Sequence, residues 1–514
     1  MVSTPMTSQD ALWLTMDRPN NLMVIDTVMW FRSVPGWGAV EDVLQERLVA
    51  QFPVFRSHAV KKGTSWEWQE VVDFELADQI QRVTLDAPGD FQALRTFVAS
   101  QRSVPFSKSR PMWTMYFIEN VNFDDGASGA AVMARFHHSI ADGIRLTQAV
   151  MGLCDLDPAD VTAVGRPFSH PKGPVQVATA VAKETWSDIA DLGSATAHRV
   201  ASAVGSVRDV VTRAATGDVR AAASSVVDDS RNIFTVGTQA LKFPERLMDV
   251  NMLVSSPDNR VANDATIAGK YVLSGSSVKT VWTGKPQRHK DADWAPIIDL
   301  DDVKAVGRAT GTTVNDVMLS AVSIALTRYL NENGDDTTDE LIWMVPVSIQ
   351  PVEPGVPKEL GNHFALVTLR MPIGIHDFVD CLSAMHERME RIKSSDEALV
   401  TFGLQRGIAN APGPLAVGLT NYFANKAVGV LTNVPGPRAP MTLAGTQVDG
   451  ILGWAPCSGD QPMTICIFSY DGKVTVGFGA DKALVPDLNR LSELFHQGFL
   501  DMYREIVGNG ERDR

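Results

Sequence analysis

The stretch HHSIADG at residues 137–143 lies directly between a strand-like and a helix-like segment. In AVMARF, residues 131–136, apolar side chains alternate with a period of two, which indicates a β-strand. Apolar side chains then recur at helical spacing from 144 to 153, and Asp142 stands where a helix N-cap would stand. The sequence therefore predicts a pair of histidines at the end of a strand, immediately before a helix.

A neutral imidazole, with an ordinary pKa of about 6.5, accepts a proton from a hydroxyl or an amine near neutral pH. His137 and His138 are therefore candidates for a general base, which Asp142 could orient. A metal site is disfavoured because neighbouring strand residues point to opposite faces and no second cluster with ligand spacing accompanies the pair. The local residues leave open a purely structural pair, and the position of Asp142 favours a structural cap.

Length, charge and cysteine content narrow the class of protein. A chain of 514 residues is too long for a single hydrophobic core, so we expect roughly two to four domains. The net charge of −14 argues against nucleic acid as a partner. Cys154, Cys381, Cys457 and Cys466 have no CxxC spacing and fit reduced thiols better than disulfides or zinc ligands. No secretory signal and no apolar run of about 18 residues is apparent. We therefore expect a cytoplasmic protein that contacts membranes only peripherally.

The chain divides into three regions by composition. Residues 1–172 and 263–514 mix strand-like and helical segments, whereas residues 173–262 are rich in Ala, Val and Ser and predict helix. We expect two α/β halves joined by this helical connector. The clearest predicted elements are strands at 24–30, 115–119, 341–347, 364–370, 463–470 and 473–479, a hairpin turn at Asp471-Gly472, and a helix from Asn315 to about Leu330.

The histidine motif and several separated segments resemble one family. HHSIADG is similar to the HHxxxDG motif of the coenzyme A-dependent acyltransferase superfamily, which includes chloramphenicol acetyltransferase and the condensation domains of peptide synthetases. Within it, the chain most resembles the bacterial wax ester synthase/acyl-CoA:diacylglycerol acyltransferases. Further resemblances are SQDALW at 8–13, RPMW at 110–113 (PLW in the family), TVNDV at 313–317, VPVS at 345–348, GN at 361–362 and TNVPGP at 432–437.

The resemblance implies a fold, a reaction and roles for particular residues. The fold would be two chloramphenicol-acetyltransferase-like halves with a tunnel between them. The substrates would be a long-chain acyl-CoA and a diacylglycerol or long-chain alcohol, with no cofactor, no metal and no acyl-enzyme. His138 would be the general base, with His137 and Asp142 in support. Asn315 is the candidate oxyanion donor, although it could instead cap the helix that it precedes.

Two further features carry alternatives. Lys285, Arg288, His289 and Lys290 could contact the phosphates of coenzyme A, but a solvated basic turn is the favoured interpretation. Val200, Val204, Val207 and Val211 form an apolar stripe in the connector, which is expected to pack on its own protein and could instead contact a membrane or lipid droplet. Competing functions for the whole chain are a condensation-type enzyme that uses carrier-protein thioesters and a non-catalytic lipid-droplet protein.

Overall fold

The computed structural model describes residues 3–63, 65–155, 277–336, 339–348, 359–362, 364–393 and 413–508, with the isolated residues 357, 401, 405 and 408–410. The helical connector at 173–262 and its valine stripe lie outside the described residues. In the described part of the chain, none of the helices combines the length and the apolar character that a membrane crossing requires.

The N-terminal half is built on a five-stranded sheet in the order β15-β2-β7-β6-β5. Its central strand, β7, is buried on both faces from its second residue onward. The strands of this sheet are β2 (Val24–Phe31), β5 (Ile80–Thr84), β6 (Trp113–Asn122), β7 (Ser128–His137) and β15 (Gly450–Trp454). A smaller sheet beside it holds β1 (Ser3–Pro5), β3 (Ser57–Lys62) and β4 (Ser65–Glu70).

The C-terminal half is built on a seven-stranded sheet in the order β11-β10-β12-β16-β17-β8, with β9 paired to β17. Its strands are β8 (Lys290–Trp294), β9 (Ile298–Asp299), β10 (Glu340–Ser348), β11 (Phe364–Pro372), β12 (Gly429–Pro435), β16 (Met463–Tyr470) and β17 (Lys473–Asp481). The short strands β13 (Thr442–Leu443) and β14 (Thr446–Gln447) form a separate pair.

Nine α-helices with complete bounds are described in this part of the chain, and they cover the sheets. They are α1 (Ser8–Met16), α2 (Trp37–Leu44), α3 (Phe91–Arg102), α4 (Gly143–Met151), α5 (Leu300–Thr310), α6 (Val314–Glu332), α7 (Phe378–Lys393), α8 (Gly413–Ala424) and α9 (Leu488–Ile506). Each half has its own large apolar core, and α6 is buried along most of its length.

One strand from the C-terminal part of the sequence joins the N-terminal sheet. β15 comes from the C-terminal part of the sequence but pairs antiparallel with β2 of the N-terminal sheet, from Gly450 opposite Trp30 to Trp454 opposite Asp26. Gly450 is required at this position because a Cβ atom there would lie 2.2 Å from the ring of Trp30. The sequence did not predict this pairing, and the boundaries at 172 and 263 remain predictions because they fall outside the described residues.

The C-terminal sheet opens between two of its strands. β10 and β12 run parallel but pair only at Trp343 with Gly429 and Met344 with Val430. Beyond these pairs β10 continues beside β11, and β12 continues beside β16. The sheet therefore has a gap at the carboxyl ends of β10 and β12.

The predicted elements agree closely with the structure. Within the described residues, the strands and helices expected from alternation and helical spacing are present, with ends that differ by a few residues, whereas the helix predicted for the connector stays a prediction. Asp471 and Gly472 join β16 to β17 with positive φ angles of 46° and 71°, as the hairpin prediction requires. All four cysteines are free.

Candidate active site

His138 follows the last residue of β7 and is held by its backbone on both sides. Its amide N–H donates to the carbonyl of Met23 over 2.7 Å. Its carbonyl accepts a hydrogen bond from Nδ2 of Asn362 over 3.0 Å. The residue is only 6% exposed. These two hydrogen bonds hold the backbone of His138 in place, and packing against aromatic side chains sets the orientation of its ring.

The His138 imidazole lies between two aromatic side chains. The Trp13 ring from α1 stacks on it with centroids 4.1 Å apart and an interplanar angle of 25°. The Phe364 ring, at the start of β11, lies 5.7 Å away. Burial in this apolar surrounding lowers the pKa of His138 to about 4, although its own backbone and the side chain of Asn362 oppose the shift. The ring is therefore neutral at physiological pH, which is the form that accepts a proton.

His137 has a different environment from its neighbour. Its Nδ1 atom accepts the backbone N–H of Ser139 at 3.1 Å, and the Ser139 hydroxyl lies 2.8 Å from the same atom. Its Nε2 atom is buried and lies 3.8 Å from a carboxylate oxygen of Asp17. Burial lowers the pKa of His137 to about 3. Both ring nitrogens thus face protein groups, as expected of a supporting residue.

Asp142 is the N-cap of α4. Its Oδ1 atom accepts the backbone N–H of Arg145 over 2.9 Å, and its own N–H donates to the carbonyl of Gly361 over 3.1 Å. The side chain therefore occupies the capping position that the sequence favoured. The bond to Gly361 also ties the start of α4 to the C-terminal half.

Several separated segments of the sequence meet at the two histidines. RPMW contributes the carbonyl of Met112, which accepts the backbone N–H of His137 over 2.9 Å. SQDALW contributes Trp13, and GN contributes Gly361 and Asn362. Trp113 itself is core, with its indole N–H donating to the carbonyl of Phe55 over 2.7 Å. The motifs are thus parts of one constellation.

An apolar cavity adjoins the aromatic cage of His138. It comprises about 720 Å³ of empty space, which includes the part that opens into solvent. Trp13 and Phe364 belong both to its wall and to the surroundings of His138. The lining residues, which come from both halves, are Gln9, Leu12, Trp13, Met344, Phe364, Leu366, Thr401, Gln405, Ile408, Thr420, Phe423, Ala424 and Ser458.

Asn315 lies in a second group, at the start of α6. The cap of this helix is Thr313, whose hydroxyl accepts the N–H of Asp316 while the Asp316 carboxylate accepts the N–H of Thr313. The capping role considered for Asn315 is therefore filled by another residue. Asn315 instead accepts a hydrogen bond from Nδ2 of Asn433 over 2.7 Å. Its own amide nitrogen has no hydrogen bond within the described part of the chain.

Asn433 stands on β12, on the side of the sheet gap opposite β10. The strand ends at Pro435. The next residue, Gly436, lies so close to β16 that a Cβ atom there would be 2.4 Å from the carbonyl oxygen of Ser469. TNVPGP thus forms a rigid end of β12. No hydrogen bond between described residues joins this group to the group around His138.

The basic turn at residues 285–290 is partly neutralised by ion pairs. Lys285 pairs with Asp460 at 2.6 Å, and Lys290 pairs with the buried Asp481 at 2.7 Å. Lys290 is therefore not simply solvated, which the interpretation as a solvated turn did not foresee. Arg288 and His289 are exposed.

Sequence reasoning missed the aromatic cage and the bridging amide. Trp13 and Asn362 stood within segments that resembled the family, yet nothing in their local pattern showed that they touch His138. The capping box of α6 was readable, because Thr313 and Asp316 have the required spacing with Asp in place of Glu.

The comparisons with known proteins agree with this geometry. Residues 6–240 match the wax ester synthase/diacylglycerol acyltransferase catalytic domain, and residues 360–503 match the WS/DGAT C-terminal domain. A probable diacylglycerol O-acyltransferase of Mycobacterium tuberculosis (strain H37Rv) is 24% identical over 451 residues, which are 87% of this chain and 82% of the relative.

Solved structures give the same fold. The wax ester synthase/diacylglycerol acyltransferase from Marinobacter aquaeolei VT8 aligns with a TM-score of 0.62 at 19% identity, covering 98% of this chain and 100% of that chain. The first condensation domain of the calcium-dependent antibiotic synthetase aligns with a TM-score of 0.51 at 13% identity, covering 98% and 97%. The predicted fold of two acyltransferase-like halves is confirmed. Since the two domain matches together span most of the sequence, the chain belongs to the wax ester synthase/diacylglycerol acyltransferase family.

Proposed function

We propose that this protein transfers the acyl group of a long-chain acyl-CoA to the hydroxyl of a diacylglycerol or a long-chain alcohol, with His138 as the general base. The observation that carries the proposal is a neutral imidazole, caged by Trp13 and Phe364, beside an apolar cavity to which both halves contribute. A neutral base beside an apolar cavity suits the deprotonation of an alcohol whose body is apolar.

The chemistry needs no covalent intermediate on the enzyme. His138 takes the proton of the acceptor hydroxyl as the oxygen attacks the thioester carbonyl. The tetrahedral intermediate then collapses, and the imidazolium returns the proton to the departing thiolate of coenzyme A. Such proton transfer is worth about 10²–10⁴-fold in rate. No nucleophilic serine or cysteine is required, and burial raises the pKa of the Cys466 thiol to about 11, which keeps it protonated.

Asn315 is proposed to stabilise the oxyanion of the tetrahedral intermediate. The bond from Asn433 engages its carbonyl oxygen, which leaves the amide hydrogens of Asn315 available for an acceptor. A donor whose orientation is set in advance, here by the bond from Asn433, needs little reorganisation when the negative charge develops. His137 and Asp142 are proposed to support the geometry of the strand end and of α4.

The direct test is an assay of the purified protein with palmitoyl-CoA and either hexadecanol or dioleoylglycerol. We expect ester formation with at least one acceptor, and a loss of nearly all of it in His138→Ala. His376→Ala is the matched control, because this histidine is exposed in the loop before α7 and should keep wild-type turnover. A His138→Ala protein that keeps more than about a tenth of the turnover would contradict the role of the base.

A carrier-protein thioester is the second acyl donor to compare, since the fold also aligns with a condensation domain. Transfer from an acylated carrier protein but not from palmitoyl-CoA would favour that alternative. Absence of transfer from either donor would favour a non-catalytic role.

We also propose peripheral contact with a membrane or lipid droplet, because the acceptor does not dissolve in water. The connector stripe is the candidate surface, with apolar area rather than charge driving attachment. Binding to lipid vesicles should then depend weakly on salt and should fall in the double variant Val204→Asp plus Val207→Asp. Normal binding combined with a lower melting temperature would instead identify the stripe as core packing.

A further inference from the structure

The side-chain amide of Asn362, in the C-terminal half, links His138 to Asp10 near the N-terminus. Nδ2 of Asn362, just before β11, donates to the carbonyl of His138 over 3.0 Å and to Oδ1 of Asp10 in α1 over 2.8 Å. Asn362 is 3% exposed and Asp10 is 7% exposed. Because both neighbours are acceptors, the nitrogen of the amide must face them. The orientation of Asn362 is therefore set by Asp10 together with the backbone of the histidine.

Two buried atoms beside this bridge have no hydrogen-bond partner. They are Nδ1 of His138 and Oδ1 of Asn362, on side chains from residues that already contact each other. Buried polar atoms are rarely left unpaired, and a ring N–H can donate where an amide oxygen accepts. A proton on Nδ1 of the neutral imidazole would give the unpaired amide oxygen of Asn362 a donor from which to accept.

A proton on Nδ1 leaves the other ring nitrogen as the base. Nε2 of His138 is not among the fully buried atoms without a partner, in contrast to Nδ1. The backbone of His138 itself and, after it, the side chain of Asn362 oppose the fall of the His138 pKa that burial causes, as expected of groups that favour a proton on the ring. Both observations agree on Nε2 as the atom that meets the substrate.

We propose that Asn362, oriented by Asp10, is a positioning residue that holds His138 and keeps its ring proton on Nδ1, so that Nε2 is the proton acceptor. The inference rests on the proposed function for its effect on turnover, but not for its effect on the ring itself. As Nε2 takes the proton of the acceptor hydroxyl, the imidazolium retains its Nδ1–H, and the Asn362 oxygen accepts that bond. Asp10 acts through the amide and does not touch the substrate.

The test uses variants that change the hydrogen bonds of the bridge, two of them with little change in side-chain volume. Asn362→Asp removes both N–H donors, and Asn362→Ala removes the amide. Asp10→Ala removes the acceptor that orients Asn362, whereas Asp10→Asn retains an oxygen for the same bond. Asn21→Ala is the matched control, because Asn21 is also a buried amide that bridges the halves, donating to the carbonyl of Gly459 over 2.9 Å, and none of its hydrogen bonds between described residues involves His138.

We expect kcat to fall about 10–100-fold in both Asn362 variants and in Asp10→Ala, with the KM for each substrate within about threefold of wild type. Asp10→Asn should restore most of the turnover, and Asn21→Ala should lose only thermal stability. Wild-type kcat in the folded fraction of Asn362→Ala would overturn the proposal. So would an Asp10→Asn protein as slow as Asp10→Ala.

A second measurement does not depend on turnover. In protein labelled with ¹⁵N-histidine, the ring nitrogen shifts report which nitrogen carries the proton, and His138 is assigned by its loss in His138→Ala. We expect the Nδ1–H form in the wild type and a shift towards Nε2–H in Asn362→Ala. An unchanged tautomer in Asn362→Ala would overturn the inference even if the protein proves to be an acyltransferase. A wild type that shows the expected shift but no acyl transfer would contradict the proposed function alone.

Discussion

The end of β7 and the start of α6 carry the two candidate catalytic groups, and they are built differently. His138 is buried, has both backbone polar groups bonded and lies between two aromatic rings. Asn315 is half-buried, and its side chain is held by a single bond from Asn433. The difference matches the proposed roles. A general base must keep one protonation state and one orientation, whereas an oxyanion donor needs only free N–H groups aimed at the reacting carbonyl.

Among variants at the start of α6, Asn315→Ala should give the largest loss of kcat. As an oxyanion donor, Asn315 should contribute about 10²–10³-fold to kcat, with little influence on the affinity for acyl-CoA. Thr313→Ala is the matched variant, because it removes the true helix cap and should cost about 1 kcal/mol of stability while sparing kcat. Turnover and melting temperature of both proteins decide the matter. If Asn315→Ala lowers only the melting temperature, the amide is structural.

Asp142→Ala should separate support from chemistry at the first site. Loss of the cap on α4 should lower the stability by about 0.5–2 kcal/mol, and the folded fraction should keep most of its kcat. Thermal unfolding combined with a single-temperature assay measures both quantities. A protein that is as stable as the wild type but inactive would move Asp142 from a supporting role into the chemistry.

His137 should show itself in the pH dependence of stability. Its folded pKa of about 3 lies below the ordinary value of about 6.5, so the unfolded chain takes up a proton that the folded protein refuses. The contribution of neutral His137 to the free energy of unfolding is fully present above about pH 6.5 and is lost as the pH falls towards 3. His137→Asn keeps an acceptor for the N–H of Ser139 but cannot titrate. Its melting temperature should fall less steeply than that of the wild type between pH 6.5 and 4, and an equal slope would contradict the assignment.

The sequence predicted the local pieces of the fold well and their meeting points poorly. The strand before His137, the helix from Val314 and the Asp471-Gly472 hairpin follow from periodicity and turn chemistry within a few residues. The pairing of β15 with β2 and the stack of Trp13 on His138 join residues that are distant in sequence, so no local pattern encodes them. The resemblance of separated motifs identified the family, but their contacts became visible only in the structure.

Asn315 shows the limit of propensity reasoning at the site. An asparagine at the start of an apolar helix fits a cap as well as a donor, because both use the same short amide. The spacing of Thr313 and Asp316 already indicates a capping box, and the structure removes the first interpretation because Thr313 is the N-cap and Asp316 completes the box.

The pH dependence of kcat/KM tests the central claim most directly, because its acid limb reports the pKa of the essential base in the free enzyme. With His138 as a buried base of pKa about 4, the rate with palmitoyl-CoA and hexadecanol should stay level from about pH 8 to 5.5 and fall only as the pH approaches 4. Short assays started by a pH jump keep acid unfolding out of the measurement. An acid limb near pH 6.5, the value of a solvated imidazole, would contradict the buried His138 as the base.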